Sequence, residues 1–144
     1  MTIKVVTKKT ALIARINRKD WWHVPPSDPR AYVKRGKFYS STFRESLFWG
    51  RPLNTAERVE VRNPLIGDEP EVWRVLFGKQ MKCPGLDSPR LLQWRWRLDA
   101  QMKRAALRKG YDAIALLSTH AFRKFKAGHL PYSIELNVLS PTGA

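Results

Sequence analysis

Near the end of the chain, Ile134, Leu136 and Val138 alternate with Ser133, Glu135 and Asn137. At the two-residue period of a β-strand the apolar set faces a core and Glu135 looks the other way, toward solvent or a cleft. The strongest helical pattern precedes it. Leu91, Trp94, Leu98, Met102 and Ala105 recur at spacings of three and four, with Ser88 as N-cap, Pro89 at the first helical position and Gly110 at the end. The opposite face of that helix carries Arg95, Lys103 and Arg104. The apolar run Ala113 to Leu117 then predicts a buried strand after the glycine turn.

Shorter signals fill the first half. Lys4 to Val6 and Ala11 to Ile16 read as strands, and Asp20 to Pro29, with Pro25, Pro26 and Pro29, reads as a loop carrying Trp21, Trp22 and His23. Gly36 to Ser40 has strand character. Thr42-Phe43-Arg44-Glu45 is a capping box opening a two-turn helix that Gly50 closes. Arg58 to Arg62 and Val72 to Phe77 are further strand candidates, separated by turn chemistry from Asn63 to Asp68. The order predicts a single α+β domain over residues 1–144, with more strand than helix.

Composition narrows the chemistry. One cysteine, Cys83, allows no internal disulfide and no metal cluster, and no apolar run approaches the length of a membrane span, so the expectation is a soluble, cytoplasmic protein without a membrane partner. Twenty-seven Lys and Arg against 12 Asp and Glu give a formal charge of +15, a field that attracts nucleic acid or an acidic protein. The chain lacks a Gly-rich phosphate cradle, a CxxC or HxxxH metal pair and a Gly-x-Ser-x-Gly elbow.

Five segments together carry a resemblance. These are Phe38-Tyr39-Ser40-Ser41, a short helix ending Phe48-Trp49-Gly50, Arg62-Asn63-Pro64-Leu65, Leu107 to Ile114 around Lys109-Gly110-Tyr111-Asp112, and Glu135-Leu136-Asn137-Val138. In order and spacing they resemble the ADP-ribosyltransferase-like family. That resemblance implies two packed, mostly antiparallel sheets forming a cleft for NAD, which serves as substrate. It implies His23, Tyr39, Ser40 and Ser41 as NAD-binding residues, no metal, and Glu135 as the catalytic residue.

Arg15 is the rival to His23. If the chain follows the branch built on Arg, Ser-Thr-Ser and Glu, Arg15 would contact an NAD phosphate and Ser40-Ser41-Thr42 would be the serine motif. His23 stands in Trp22-His23-Val24-Pro25, where the family shows His-Gly-Thr. Ser133 stands where the arginine-modifying branch has Glu or Gln, which speaks against arginine as acceptor. The implied activity is mono-ADP-ribosyl transfer from NAD to a macromolecule, an acidic protein or nucleic acid. The size implies a small bacterial or phage effector whose partner is an antitoxin or a host target. RNA 2′-phosphotransfer on the same fold would need a basic cluster about the NAD site that the sequence does not display.

Each site residue also has a plainer reading. Glu135 could be a strand residue paired with a surface lysine, Tyr39 a core aromatic, His23 a packed loop residue, and Ser40 to Thr42 a strand end and helix cap. The competing class is a non-catalytic basic protein that stacks bases on Trp21, Trp22, Trp94 and Trp96.

Overall fold

A computed structural model describes residues 2–47, 50–53 and 55–140, with side chains from residue 8 onward. Phe48 and Trp49, part of the resemblance, lie outside the described residues. The elements are α1 (Thr2–Arg18), α2 (Ala31–Arg35), β1 (Lys37–Ser40), α3 (Phe43–Ser46), β2 (Pro64–Gly67), α4 (Glu69–Phe77), α5 (Leu91–Arg108), β3 (Ala113–Leu116), α6 (Thr119–Lys126) and β4 (Glu135–Val138). The architecture is α+β. Among the described residues there is one four-stranded mixed sheet, ordered β1-β4-β3-β2, rather than the two antiparallel sheets expected. No helix among them is long and apolar enough to cross a membrane.

The two pairings of β4 set the register of everything functional. β4 runs antiparallel to both neighbours, placing Ser40 opposite Glu135 and Tyr39 opposite Leu136 on one side, and Leu116 opposite Glu135 on the other. β2 and β3 are parallel and are joined through α4 and α5. Isolated bridges from Trp21 to Glu57 and from Trp22 to Ser40 continue the sheet's hydrogen bonding past β1.

Side chains alternate strictly across this sheet. Tyr39, Ala113, Ala115 and Leu136 join Leu12 and Ile16 of α1 and Phe125 of α6 in one core. Leu65 and Ile114 join Val72, Trp73 and Leu76 of α4 and Leu98, Met102 and Ala105 of α5 in the other. Both faces of the sheet are therefore covered by helices.

Five expectations change. Helix, not strand, predominates among the described residues: each of the four strands is four residues long, whereas α1 and α5 alone span 17 and 18 residues. The two strands expected at Lys4–Val6 and Ala11–Ile16 are parts of α1, whose Leu12 and Ile16 are buried at a helical spacing of four. Val72–Phe77 lies in α4, capped by Asp68, whose carboxylate accepts the Glu71 N–H at 3.0 Å, and closed by Gly78 at φ 70°. The turn expected at Asn63–Asp68 contains β2. Its Pro64 is tolerated because it is the first residue of an edge strand. Arg58–Arg62 forms no regular strand. Val61 there is held by Asn17, whose side-chain amide donates to the Val61 carbonyl at 2.8 Å and accepts its N–H at 2.7 Å.

One helix is shorter than expected: α3 is a single turn ending at Ser46 with Leu47 as its C-cap, not two turns closed by Gly50. Other signals hold. β1, α5, β3 and β4 fall where periodicity put them, and Thr42 caps α3 by accepting the Glu45 N–H at 3.1 Å. α5 starts a turn later than Ser88, whose hydroxyl accepts the Arg90 N–H at 3.2 Å instead of capping it.

Candidate active site

Glu135 opens β4 and shares its sheet face with Ser40 of β1 and Leu116 of β3. Two cavities meet at Ser40 and Glu135. One, of about 300 Å³, is walled by Trp22, Phe38 and Trp96, with Arg35, Arg95 and Asp99 as its charged lining beside Glu135. The other, of about 510 Å³, is lined by Glu45, Asp68, Glu69, Ser118 and Ser133 and contains no cation. On a chain of formal charge +15, an acid-lined cavity is a local inversion of the overall field.

Arg95 organises the carboxylates. Its guanidinium donates to Glu69 at the start of α4 at 3.2 Å and forms an ion pair with Asp99, one turn along α5, at 3.3 Å. Burial on its own would lower the Arg95 pKa, but Asp99, Glu69 and Glu135 together hold it above its usual value. Burial pushes the Glu135 carboxyl up from its ordinary range; Arg95 opposes that rise, while Asp99 and Glu69 add to it. Asp99 is 8% exposed, and burial raises its carboxyl to about 6 against the pull of Arg95 and Arg35. The cleft thus holds two carboxyl groups that release protons reluctantly, on facing elements, with the half-buried Arg95 acting on both.

The other expected site residues divide. Ser40 lies in the cleft with Glu135. Ser41 is buried, and its hydroxyl ties β1 to the start of β4 by donating to the Ile134 carbonyl at 3.0 Å and accepting its N–H at 2.7 Å. Tyr39 contributes to the lining of the aromatic-walled cavity, but it packs in the core of the opposite sheet face with Leu136, its hydroxyl 3.5 Å from Glu57 Oε1. His23 is 4% exposed and packs beside Tyr39, with ring centroids 5.6 Å apart. Its Nδ1–H donates to the Phe38 carbonyl at 2.8 Å, and its Nε2 accepts from the Tyr32 hydroxyl at 2.8 Å. Burial lowers its pKa, in keeping with a neutral ring whose nitrogens are both engaged. Arg15 sits on α1, bonded to the Pro131 carbonyl, on the far side of the sheet from Glu135.

Sequence reasoning missed Arg95 and Asp99 as a pair. The available signal was their spacing of four on a confidently expected helix, with Asp99 set between the core residues Leu98 and Met102 where a carboxylate needs a partner. Phe38 and Trp96 were likewise legible only as aromatics. Among the described residues, no group of three or more His, Cys, Asp or Glu is arranged to hold a metal ion. No protein-family model, curated protein or solved structure matches this chain.

Proposed function

We propose that the chain is a mono-ADP-ribosyltransferase that cleaves NAD between nicotinamide and ribose and transfers ADP-ribose to a macromolecule. The observation carrying this reading is the position of Glu135, a half-buried carboxylate where an aromatic-walled cavity opens into a second chamber. The resemblance of the surrounding segments supplies the substrate.

The residues present suit NAD. Trp22, Phe38 and Trp96 offer flat apolar surface for a nicotinamide ring, and Arg35 gives the same chamber a cation for a phosphate. The aromatic platform assigned to Tyr39 therefore passes to residues on the face of Glu135, and His23 serves to build that wall through Phe38. The bond between ribose C1′ and the nicotinamide nitrogen breaks with its electron pair going to nicotinamide, neutralising the ring charge. Glu135 accepts a ribose hydroxyl and counters the oxocarbenium charge left on the sugar. The acceptor's nucleophile then bonds to C1′, and its proton is taken by Asp99, which lines the same cavity. The acid-lined chamber disfavours phosphate and leaves room for the acceptor group.

The test is nicotinamide release and transfer of labelled ADP-ribose into a bacterial lysate, wild type beside Glu135→Gln. Release by wild type and its loss in the variant are expected. Equal labelling by both proteins, or none by a folded wild type, overturns the reading.

A further inference from the structure

None of the seven ion pairs among the described residues involves a cation of α1 or Lys19. Arg30, Lys37, Arg58, Arg62, Arg74 and Arg95 each meet a carboxylate. Arg15, Arg18 and Lys19 do not; they line a groove of about 440 Å³ with Ala11, Ala14 and Leu130 and no acidic residue. Arg15 and Arg18, three apart, share one side of the last turn of α1, and Lys19 follows directly beyond it. Lys8 lies toward the helix start, about 15 Å from Arg18 along α1. Lys8 also donates to the Lys126 carbonyl at 2.5 Å, which brings the last turn of α6 alongside.

These cations are held in place without being neutralised. Arg15 donates to the Pro131 carbonyl at 3.2 Å, and Lys19 donates to the carbonyls of Ser41 at 2.6 Å and Asp20 at 3.0 Å. Asp20 and Glu45 act on Lys19 from nearby: Asp20 is itself paired with Arg58 at 2.7 Å, while Glu45 accepts from the Ser133 hydroxyl at 2.7 Å and offsets part of the Lys19 charge without an ion-pair contact. At the edge of the groove Tyr132 is 87% exposed, with the Arg15 guanidinium 5.6 Å from its ring centroid. One face of that ring is backed by a cation and the rest is open to water.

We propose that the groove between α1 and the Leu130–Tyr132 turn binds single-stranded nucleic acid, with phosphates on Arg15, Arg18 and Lys19 and a base stacked on Tyr132. Charge complementarity requires a polyanion. The exposed ring selects among polyanions, because an unpaired base offers a flat face to stack and an acidic peptide or a duplex flank does not. The groove shares no lining residue with either chamber of the cleft, so this binding stands apart from any NAD chemistry.

Fluorescence anisotropy of labelled oligouridylate and oligothymidylate against the full chain, from about 50 to 200 mM salt, tests this. For wild type, log affinity falls against log salt with a slope of about −2, three cations contributing roughly 0.7 each. Arg18→Ala lowers that slope by about 0.7, and Tyr132→Ala weakens binding roughly 5- to 150-fold at unchanged slope. Both side chains are exposed, so the variants keep the wild-type melting temperature, and Arg104→Ala on exposed α5 surface leaves affinity unchanged. Equal binding by wild type and the Arg18→Ala/Tyr132→Ala double variant overturns the proposal. So does equal weakening by Arg104→Ala, equal affinity for duplex, or competition by polyglutamate as effective as by oligonucleotide.

Discussion

The two faces of the β1–β4 pair are built from adjacent residues and behave as opposites. On the face of Tyr39 and Leu136, both His23 nitrogens are bonded and Lys37 meets Glu57 Oε1 at 3.0 Å, although Glu57 Oε2 is buried without a partner. On the face of Ser40 and Glu135, one position along each strand, the groups line open cavities and the carboxyls are pushed toward their neutral forms. A sequence motif such as Tyr39-Ser40-Ser41 therefore does not enter one site as a block. The pleat sends its first member into a core and its second into the cleft.

Substitutions can break this division or sharpen it. The largest effect belongs to Glu135→Gln, which is expected to lower nicotinamide release by about 10²–10³, the usual scale for losing a preorganised charge. Because burial already disfavours the ionised carboxyl, the variant melts no lower than wild type, which differential scanning calorimetry checks. A large drop in melting temperature would make Glu135 a structural residue.

Next comes the pH dependence of Asp99. Its carboxyl is raised in the folded chain to about 6. Stability from holding it neutral is therefore present in full below its unfolded pKa of about 3.9 and is lost as pH rises through about 6, by about 3 kcal/mol. Asp99→Asn keeps a neutral group there, so its urea-denaturation stability should fall less than wild type between about pH 4 and 7. Parallel curves would refute the assignment.

His23→Ala should cost about 2 kcal/mol of stability, since it strips the Phe38 carbonyl and the Tyr32 hydroxyl of a buried partner. If the variant instead kept its stability and lost NAD cleavage, the two faces would not be divided as described. The smallest effect is Thr42→Ala, about 1 kcal/mol from the lost cap of α3, read as a shift in the denaturation midpoint.

Much of the sheet was legible in advance because its signals are local. The alternation in β4, the capping box at Thr42 and the three-four periodicity of α5 each require only neighbours in sequence. α1 was not legible, since its β-branched and short apolar runs also suit a strand and only the burial of Leu12 and Ile16 under the sheet decides between them. α4 and β2 changed places with a strand and a turn for the same reason: Pro64 and Gly67 suggest a turn until an edge position accommodates them. Within the site, the face of Glu135 followed from periodicity, whereas its company did not. Which of Tyr39 or Ser40 shares that face depends on the register of β1 against β4, a long-range fact. Asp99 was hidden because the helix around it is dominated by basic residues.

That register has a consequence for when the cleft can exist. Ser41 and Ile134, whose hydrogen bonds pin β1 to β4, are 93 positions apart. Closing so long a loop comes late in folding, because the entropy cost precedes the contacts that reward it. On the ribosome the cleft wall made by Ser40 and Glu135 has no counterpart until β4 has been synthesised and has emerged. A growing chain thus has no such cleft until then, and a truncation ahead of β4 removes the wall that Glu135 supplies.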